Sequence, residues 1–184
     1  MSAPSVPLIV TLSGSPSATS RTHLLTTWVG EWLSVRGFEV APIDVRKLPP
    51  EDLFHARADA PMVKEAVAVI ARARGLVIAT PVYKAAYSGV LKVFLDLLPQ
   101  LGLEGKVVLP LAVGGSLAHV LAIDYAMRPM LSSLGALHIT NGLFILDKQL
   151  EKAESGGLRI EAPIQARLEG VLEGFVASVR LNND

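Results

Sequence analysis

Three short segments of this chain hold the residues best suited to chemistry. Residues 13–22 read SGSPSATSRT, with six hydroxyls, one glycine and one arginine leading into a helical pattern. At a helix N-terminus the backbone N–H groups point outward and the dipole favours negative charge, so such a segment suits a phosphate. An N-cap serine would account for one of the hydroxyls, not for six. The spacing is neither GxGxxG nor GxxxxGK[ST], which points to a mononucleotide phosphate held by side chains. The second segment is Thr80-Pro81-Val82-Tyr83-Lys84, followed closely by Tyr87 and Ser88. Pro81 ends a strand sharply, and Val82, Tyr83 and Lys84 could offer apolar faces and amides to a flat heteroaromatic ring. The tyrosines would serve equally well as packing between a helix and a sheet. The third segment, Gly114-Gly115-Ser116, permits close backbone approach to a ligand and a serine cap on the next helix; a turn with positive φ would need the same glycines.

Other chemistries fit poorly. The chain has no cysteine, which excludes disulfides, cysteine–zinc sites, iron–sulfur clusters and thiol catalysis. Its four histidines, His23, His55, His119 and His138, are scattered and lack carboxylates at ligand spacing, so no metal is expected. Ser116, His119 and Asp124 lie too close along one helix to form a hydrolase triad, and no GxSxG elbow is present. A phospho-receiver site would need carboxylates after the first and third strands, where Ser13-Gly14 and Thr80-Pro81 stand.

Composition narrows the class further. The 184 residues carry seventeen acids against seventeen bases, and half are hydrophobic. That balance argues against nucleic-acid or membrane-surface partners and against disorder. The first residues lack the basic start and apolar core of a signal peptide, and no apolar run reaches membrane-spanning length. A cytoplasmic protein with one domain over residues 1–184 is expected.

Five strand-like runs, at 8–13, 39–44, 76–80, 107–113 and 139–145, alternate with helical patterns near 21–36, 61–73, 88–98, 118–134 and 163–180. Several runs are apolar throughout, as strands covered on both faces should be. The expected fold is α/β, a doubly wound five-stranded parallel sheet with helices on both faces. Ligands bind beyond the carboxyl ends of such strands, where the three segments fall. Pro61 suits the first turn of its helix, Pro99 follows another, and Gly135 suits a C-terminal cap. Asn141-Gly142 interrupts the fifth strand pattern, and residues 147–157 are expected to form a polar surface excursion. Pro129 lies four residues after Tyr125 inside a helical pattern, which predicts a kink or π-bulge near residues 124–128. The helix near 88–98 carries Leu91, Phe94, Leu95 and Leu98 on one side and Val90, Val93 and Leu97 on another. A second subunit is expected to cover the second side.

With these segments in place, the sequence resembles the NADPH-dependent FMN reductases of the flavodoxin-like superfamily. It is similar above all to the reductase component of two-component alkanesulfonate monooxygenase systems. The matching pieces are GSPSATSRTHLL (14–25), PEDLFHARADAP (50–61), ATPVYKAAYSGVLKVFLDLLP (79–99), GKVVLPLAVGGSLAHVLAIDYAMRPMLSSLGA (105–136) and NGLF (141–144). The resemblance implies that Ser15, Ser20, Arg21 and Thr22 hold the FMN phosphate. It sets the isoalloxazine against Pro81, Val82, Tyr83 and Lys84, with Ser88 nearby and Gly114, Gly115 and Ser116 at its other edge. Many relatives carry arginine where Ser17 stands, so charge recognition shifts toward Arg21.

The implied reaction is hydride transfer from NADPH to FMN, with no catalytic side chain. Reduced FMN would leave for a partner flavin-dependent monooxygenase acting in sulfonate desulfonation and sulfur acquisition. Tyr125 matches a tyrosine inserted in a π-helix at a tetramer interface of the alkanesulfonate-type reductases, which implies a homo-oligomer, dimer or tetramer, that exchanges flavin. An FMN-retaining quinone or azo reductase is the other enzyme reading. A flavodoxin-like electron carrier is a third, against which the balanced charge argues. Arg21, Arg57 or Lys84 could each meet the 2′-phosphate that separates NADPH from NADH.

Overall fold

The computed structural model describes residues 6–154 and 156–182. In chain order the elements are β1 (Leu8–Ser13), α1 (Arg21–Val35), β2 (Glu39–Asp44), α2 (Pro50–Phe54) and α3 (Pro61–Arg72). There follow β3 (Gly75–Tyr83), β4 (Ala86–Tyr87), α4 (Gly89–Leu95), β5 (Val107–Gly114), a π-helical turn (Ile123–Met127) and α5 (Arg128–Ser133). The chain ends with β6 (His138–Ile139), β7 (Leu143–Leu146), β8 (Leu150–Lys152), β9 (Leu158–Ile160) and α6 (Ala162–Leu181). No described helix is long and apolar enough to cross a membrane.

The main sheet runs in the order β2-β1-β3-β5, all parallel, and β6 and β7 share the fifth position beside β5. Every residue of β1 and β5 is buried, as strands covered on both faces require. Alternation divides β3 between two cores. Leu76 and Ile78 pack with Leu91, Phe94 and Leu131. Val77 and Ala79 pack with Leu25, Val29 and Phe175 on the opposite face. The expected doubly wound α/β fold is therefore present, and its strand order reverses between β1 and β3.

Departures from the expected elements have local causes. The third strand continues past Pro81 to Tyr83 because β4 folds back on it, pairing Val82 with Tyr87 and Tyr83 with Ala86. The two-residue turn between them puts Lys84 and Ala85 at φ 50° and 62°, a hairpin geometry that normally selects Asn-Gly. The fifth strand is split at Thr140-Asn141-Gly142. Pro110 in β5 has no N–H to give there, and a Cβ on Gly142 would lie 2.6 Å from the Pro110 carbonyl oxygen. The polar excursion at 147–157 contains the β8 arm of the antiparallel β8–β9 hairpin. Its three-residue arms are too short to show a strand period in the sequence.

The helix near 88–98 does not present a second open apolar side. Leu97 is buried within its own chain, and Val90 and Val93 pack partly against the first core. The Pro129 pattern holds good: the π-turn covers Ile123–Met127 and α5 begins with Pro129 in its first turn. Gly135, at φ 86°, closes α5 with its N–H on the Ser132 carbonyl and the Ala136 N–H on that of Leu131, a Schellman arrangement.

A buried pair of hydroxyls joins the loops at the carboxyl end of the sheet. Thr80 Oγ1 accepts the Ser88 N–H at 3.0 Å and donates to the Pro81 carbonyl at 2.9 Å. Ser88 Oγ donates to the Gly14 carbonyl and accepts the Leu91 N–H at 3.0 Å, which caps α4. Gly14 is held from its other side by an N–H bond to the Ala79 carbonyl at 2.8 Å. It also packs so near α4 that a Cβ there would meet Leu91 at 2.6 Å.

Replacing Ser88 with Ala strips a buried carbonyl and a helix N–H of their partner, so it is expected to destabilise the fold by about 1–3 kcal/mol. Denaturant unfolding measures this, and a loss below about 0.5 kcal/mol would show that water substitutes freely. The Lys84→Asn, Ala85→Gly pair should instead stabilise by about 1 kcal/mol, since it removes a left-handed penalty of that order. A lower Tm for the pair would mean that the turn is not strained.

Candidate functional site

A cavity of about 330 Å³ lies at the carboxyl ends of β1, β3 and β5, where an open parallel sheet offers its ligand crevice. One side is the loop after β1, contributing Ser15, Ser17, Thr19, Ser20, Arg21 and Thr22. The other is formed by Pro81, Val82 and Tyr83 from the end of β3 and by Val113, Gly114 and Gly115 from β5 and the residue after it. Asp147 and Lys152 complete it from the region that follows β7.

The loop is shaped by its own hydroxyls. Ser15 Oγ accepts the Ser17 N–H and Ser17 Oγ accepts the Thr19 N–H, each at 3.3 Å. Ser20 is the N-cap of α1, with its Oγ accepting the His23 N–H at 3.2 Å. Each of these bonds uses an oxygen lone pair, so the Ser15 and Ser20 protons remain to be donated, while Ser17 and Thr19 share a contact between their hydroxyls at 3.4 Å. The N–H groups of Arg21 and Thr22, in the first turn of a 15-residue helix, have no carbonyl four residues back to bond. Arg21 itself is braced: its Nε donates to the Leu150 carbonyl in β8 at 2.8 Å, leaving the terminal guanidinium nitrogens to meet an anion. These are the donors that a phosphate dianion needs, so the donor set fits the phosphate end of a flavin mononucleotide.

The opposite wall suits an aromatic ring. Pro81 and Val82 present partly buried apolar surface and Tyr83 is half exposed. Gly115 has open space where a Cβ would sit, with Asp147 Oδ2 3.9 Å away. Gly114 cannot carry a side chain, because its Cβ would lie 2.7 Å from the Phe144 ring.

Of the residues singled out in the sequence, Ser15, Ser20, Arg21, Thr22, Pro81, Val82, Tyr83, Gly114 and Gly115 line this one cavity. Lys84, Ser88 and Ser116 do not. Lys84 sits in the exposed turn after Tyr83, at φ 50°. Ser88 is 1% exposed and its hydroxyl is engaged by Gly14 and Leu91. Ser116 caps the next turn, accepting the Ala118 N–H at 3.2 Å. Tyr125 lies outside the cavity, in the middle of the π-turn and 78% exposed. Sequence reasoning missed Asp147 and Lys152: Asp147 follows the end of β7, which pairs with Gly114 of β5, and Lys152 reaches the cavity through the β8–β9 fold-back. A larger groove of about 620 Å³ runs between α1 and β2, lined by Thr11, His23, Gly30 and Asp44 among others. It flanks the edge strand, away from the reversal of strand order.

Comparison with known proteins agrees with this geometry. The family described as NADPH-dependent FMN reductase matches residues 7–151. A Pseudomonas putida protein named FMN reductase (NADPH) is 46% identical over 169 residues, covering 91% of this chain and 86% of its own. An Escherichia coli protein of the same name is 46% identical over 167 residues, covering 91% and 87%. The solved apo form of an NADH:FMN oxidoreductase superposes with a TM-score of 0.86 at 39% identity, over 94% of this chain and 90% of that one. Matched over residues 7–151 by the family and over 91% of its length by relatives at 46% identity, the chain belongs to the NADPH-dependent FMN reductase family.

Proposed function

We propose that this protein transfers hydride from NADPH to FMN and releases the reduced flavin to a separate flavin-dependent monooxygenase, in sulfonate desulfonation and sulfur acquisition. The observation that carries the reading is one cavity in which a cationic, hydroxyl-lined loop at a helix N-terminus meets an apolar wall ending in two glycines. FMN, when bound, supplies the redox chemistry, since its ring takes a hydride from the nicotinamide of NADPH. The protein binds and orients. Ser15, Ser20, Thr22, the first N–H groups of α1 and the Arg21 guanidinium hold the phosphate. Pro81, Val82 and Tyr83 back the ring, while Gly114 and Gly115 let it lie close to the end of β5. Lys84 stands in the turn beyond Tyr83, and Ser88 and Ser116 act through the loops they fasten. A hydride carries both electrons, so no side chain need serve as acid or base; the gain comes from fixing the two rings in register.

Release rather than retention of flavin is supported by the π-turn with Tyr125 at its centre, the feature matched by the alkanesulfonate-type reductases. The same segment supports assembly into a homo-oligomer, a dimer or tetramer. Leu117, Val120, Leu121 and Tyr125 are exposed at spacings of three and four residues, an apolar stripe that a second copy would cover.

Turnover of NADPH and NADH with FMN, FAD and riboflavin tests the reaction. FMN should be reduced over many cycles, and Arg21→Ala should raise its KM about 10- to 100-fold, the loss of a charge-assisted contact of roughly 1.5–3 kcal/mol. A deep yellow protein that reduces quinones far better than free FMN would overturn the reading. The assembly is tested separately by sedimentation velocity: Leu121→Glu with Tyr125→Ala should yield a smaller species, and an unchanged sedimentation coefficient would remove the stripe from the interface.

A further inference from the structure

We propose that Lys152 is the second cation of the phosphate site, carried there by the β8–β9 hairpin, and that it selects for a phosphorylated flavin. This rests on the reading of the cavity as an FMN site. The loop after β1 has only Arg21 as a charged residue, and Ser17, which lines the cavity beside it, is neutral. Lys152 lines the same cavity from a strand 131 residues further along the chain than Arg21.

The hairpin is built to deliver it. Side chains of a strand alternate between faces, so Leu150 and Lys152 share one face of β8 and Glu151 takes the other. Leu150 is buried against the core that contains Leu25 and Val29 of α1, which turns that face toward α1. Glu151 pairs across the hairpin with Arg159 at 3.5 Å. Lys152 has no carboxylate within ion-pair distance among the described residues. The Leu150 carbonyl meanwhile receives Arg21 Nε, so one three-residue strand braces the first cation and supplies the second. Asp147 on the same cavity lies beside Gly115, at the wall assigned to the ring, and leaves the two cations to the phosphate end.

The ligand chemistry is a phosphate monoester dianion. Two sources carry one: the 5′-phosphate of FMN and the 2′-phosphate of NADPH. The bond from Arg21 to the Leu150 carbonyl, two residues before Lys152 on β8, assigns Lys152 to the flavin phosphate.

Equilibrium titration of flavin fluorescence with FMN and with riboflavin reads the contact without turnover. Lys152 is exposed, so its substitution leaves the fold intact. Lys152→Met should weaken FMN binding about tenfold and leave riboflavin binding unchanged, and Lys152→Arg should restore most of the loss. Equal weakening of both flavins, or no weakening of FMN, overturns the proposal. KM values for NADPH and NADH form the second arm: a loss confined to NADPH overturns the flavin assignment and gives the lysine to the nicotinamide dinucleotide. Wild-type protein that binds FMN no more tightly than riboflavin would defeat the phosphate-site reading itself, a result distinct from discrimination that survives Lys152→Met.

Discussion

The site depends on the pair of buried hydroxyls, Thr80 and Ser88, at the carboxyl edge of the sheet. At that edge the ladder of strand hydrogen bonds ends while the backbone is still buried, and unpaired N–H and C=O groups are costly there. Thr80 is fully buried and Ser88 nearly so. Between them they satisfy the Ser88 and Leu91 N–H groups and the Pro81 and Gly14 carbonyls. Those groups belong to the end of β3, the start of α4 and the loop after β1, so the same four bonds that satisfy the backbone fix both sides of the cavity relative to each other. Gly14 makes the join possible, since any Cβ there would press on Leu91.

Around that fixed frame the chemistry is divided simply. Charge is confined to a few side chains, and the loop's hydroxyls first satisfy their own backbone before facing the cavity. The result is a loop whose shape is set in advance of binding, which lowers the entropy that a ligand must offset. The opposite wall is short and largely apolar, and it ends in two glycines, of which Gly114 packs against Phe144 and Gly115 lies beside Asp147. Such a site is built to bind and align.

The sequence made the layers legible where one short-range rule decided the outcome. Apolar runs marked β1, β3 and β5 because strands covered on both faces need no alternation. Pro129 marked the π-turn because a proline in a helix must disturb the carbonyl four residues earlier. Nine of the twelve cofactor candidates line one cavity because strand ends after β1, β3 and β5 are adjacent in any sheet of this order. What escaped depended on tertiary pairing. Ser88 looked like a ligand contact since nothing in the sequence reveals that the Gly14 carbonyl needs a donor. Lys152 was invisible because its approach depends on Leu150 finding the α1 side of the sheet, and Asp147 because the split fifth strand places it beside Gly115. The apolar breadth of α4 misled for the same reason: Leu97 is covered by its own chain.

The π-turn shows how far such tertiary dependence reaches. Pro110 lacks the N–H that would continue the ladder, so the fifth sheet position breaks between β6 and β7 around Gly142. At this break the Arg128 guanidinium takes the Ile139 and Thr140 carbonyls at 3.2 and 2.9 Å. The same arginine holds Asp124 through Nε at 2.9 Å, and Asp124 lies inside the π-turn. A wide helical turn that would otherwise tend to revert to α geometry is thereby tied to the sheet by a planar, forked side chain, which a lysine could not replace. Tyr125, next to Asp124, is exposed. The proline that breaks the sheet lies beside the strand whose carbonyls Arg128 takes, and the proline that bulges the helix follows Arg128 directly.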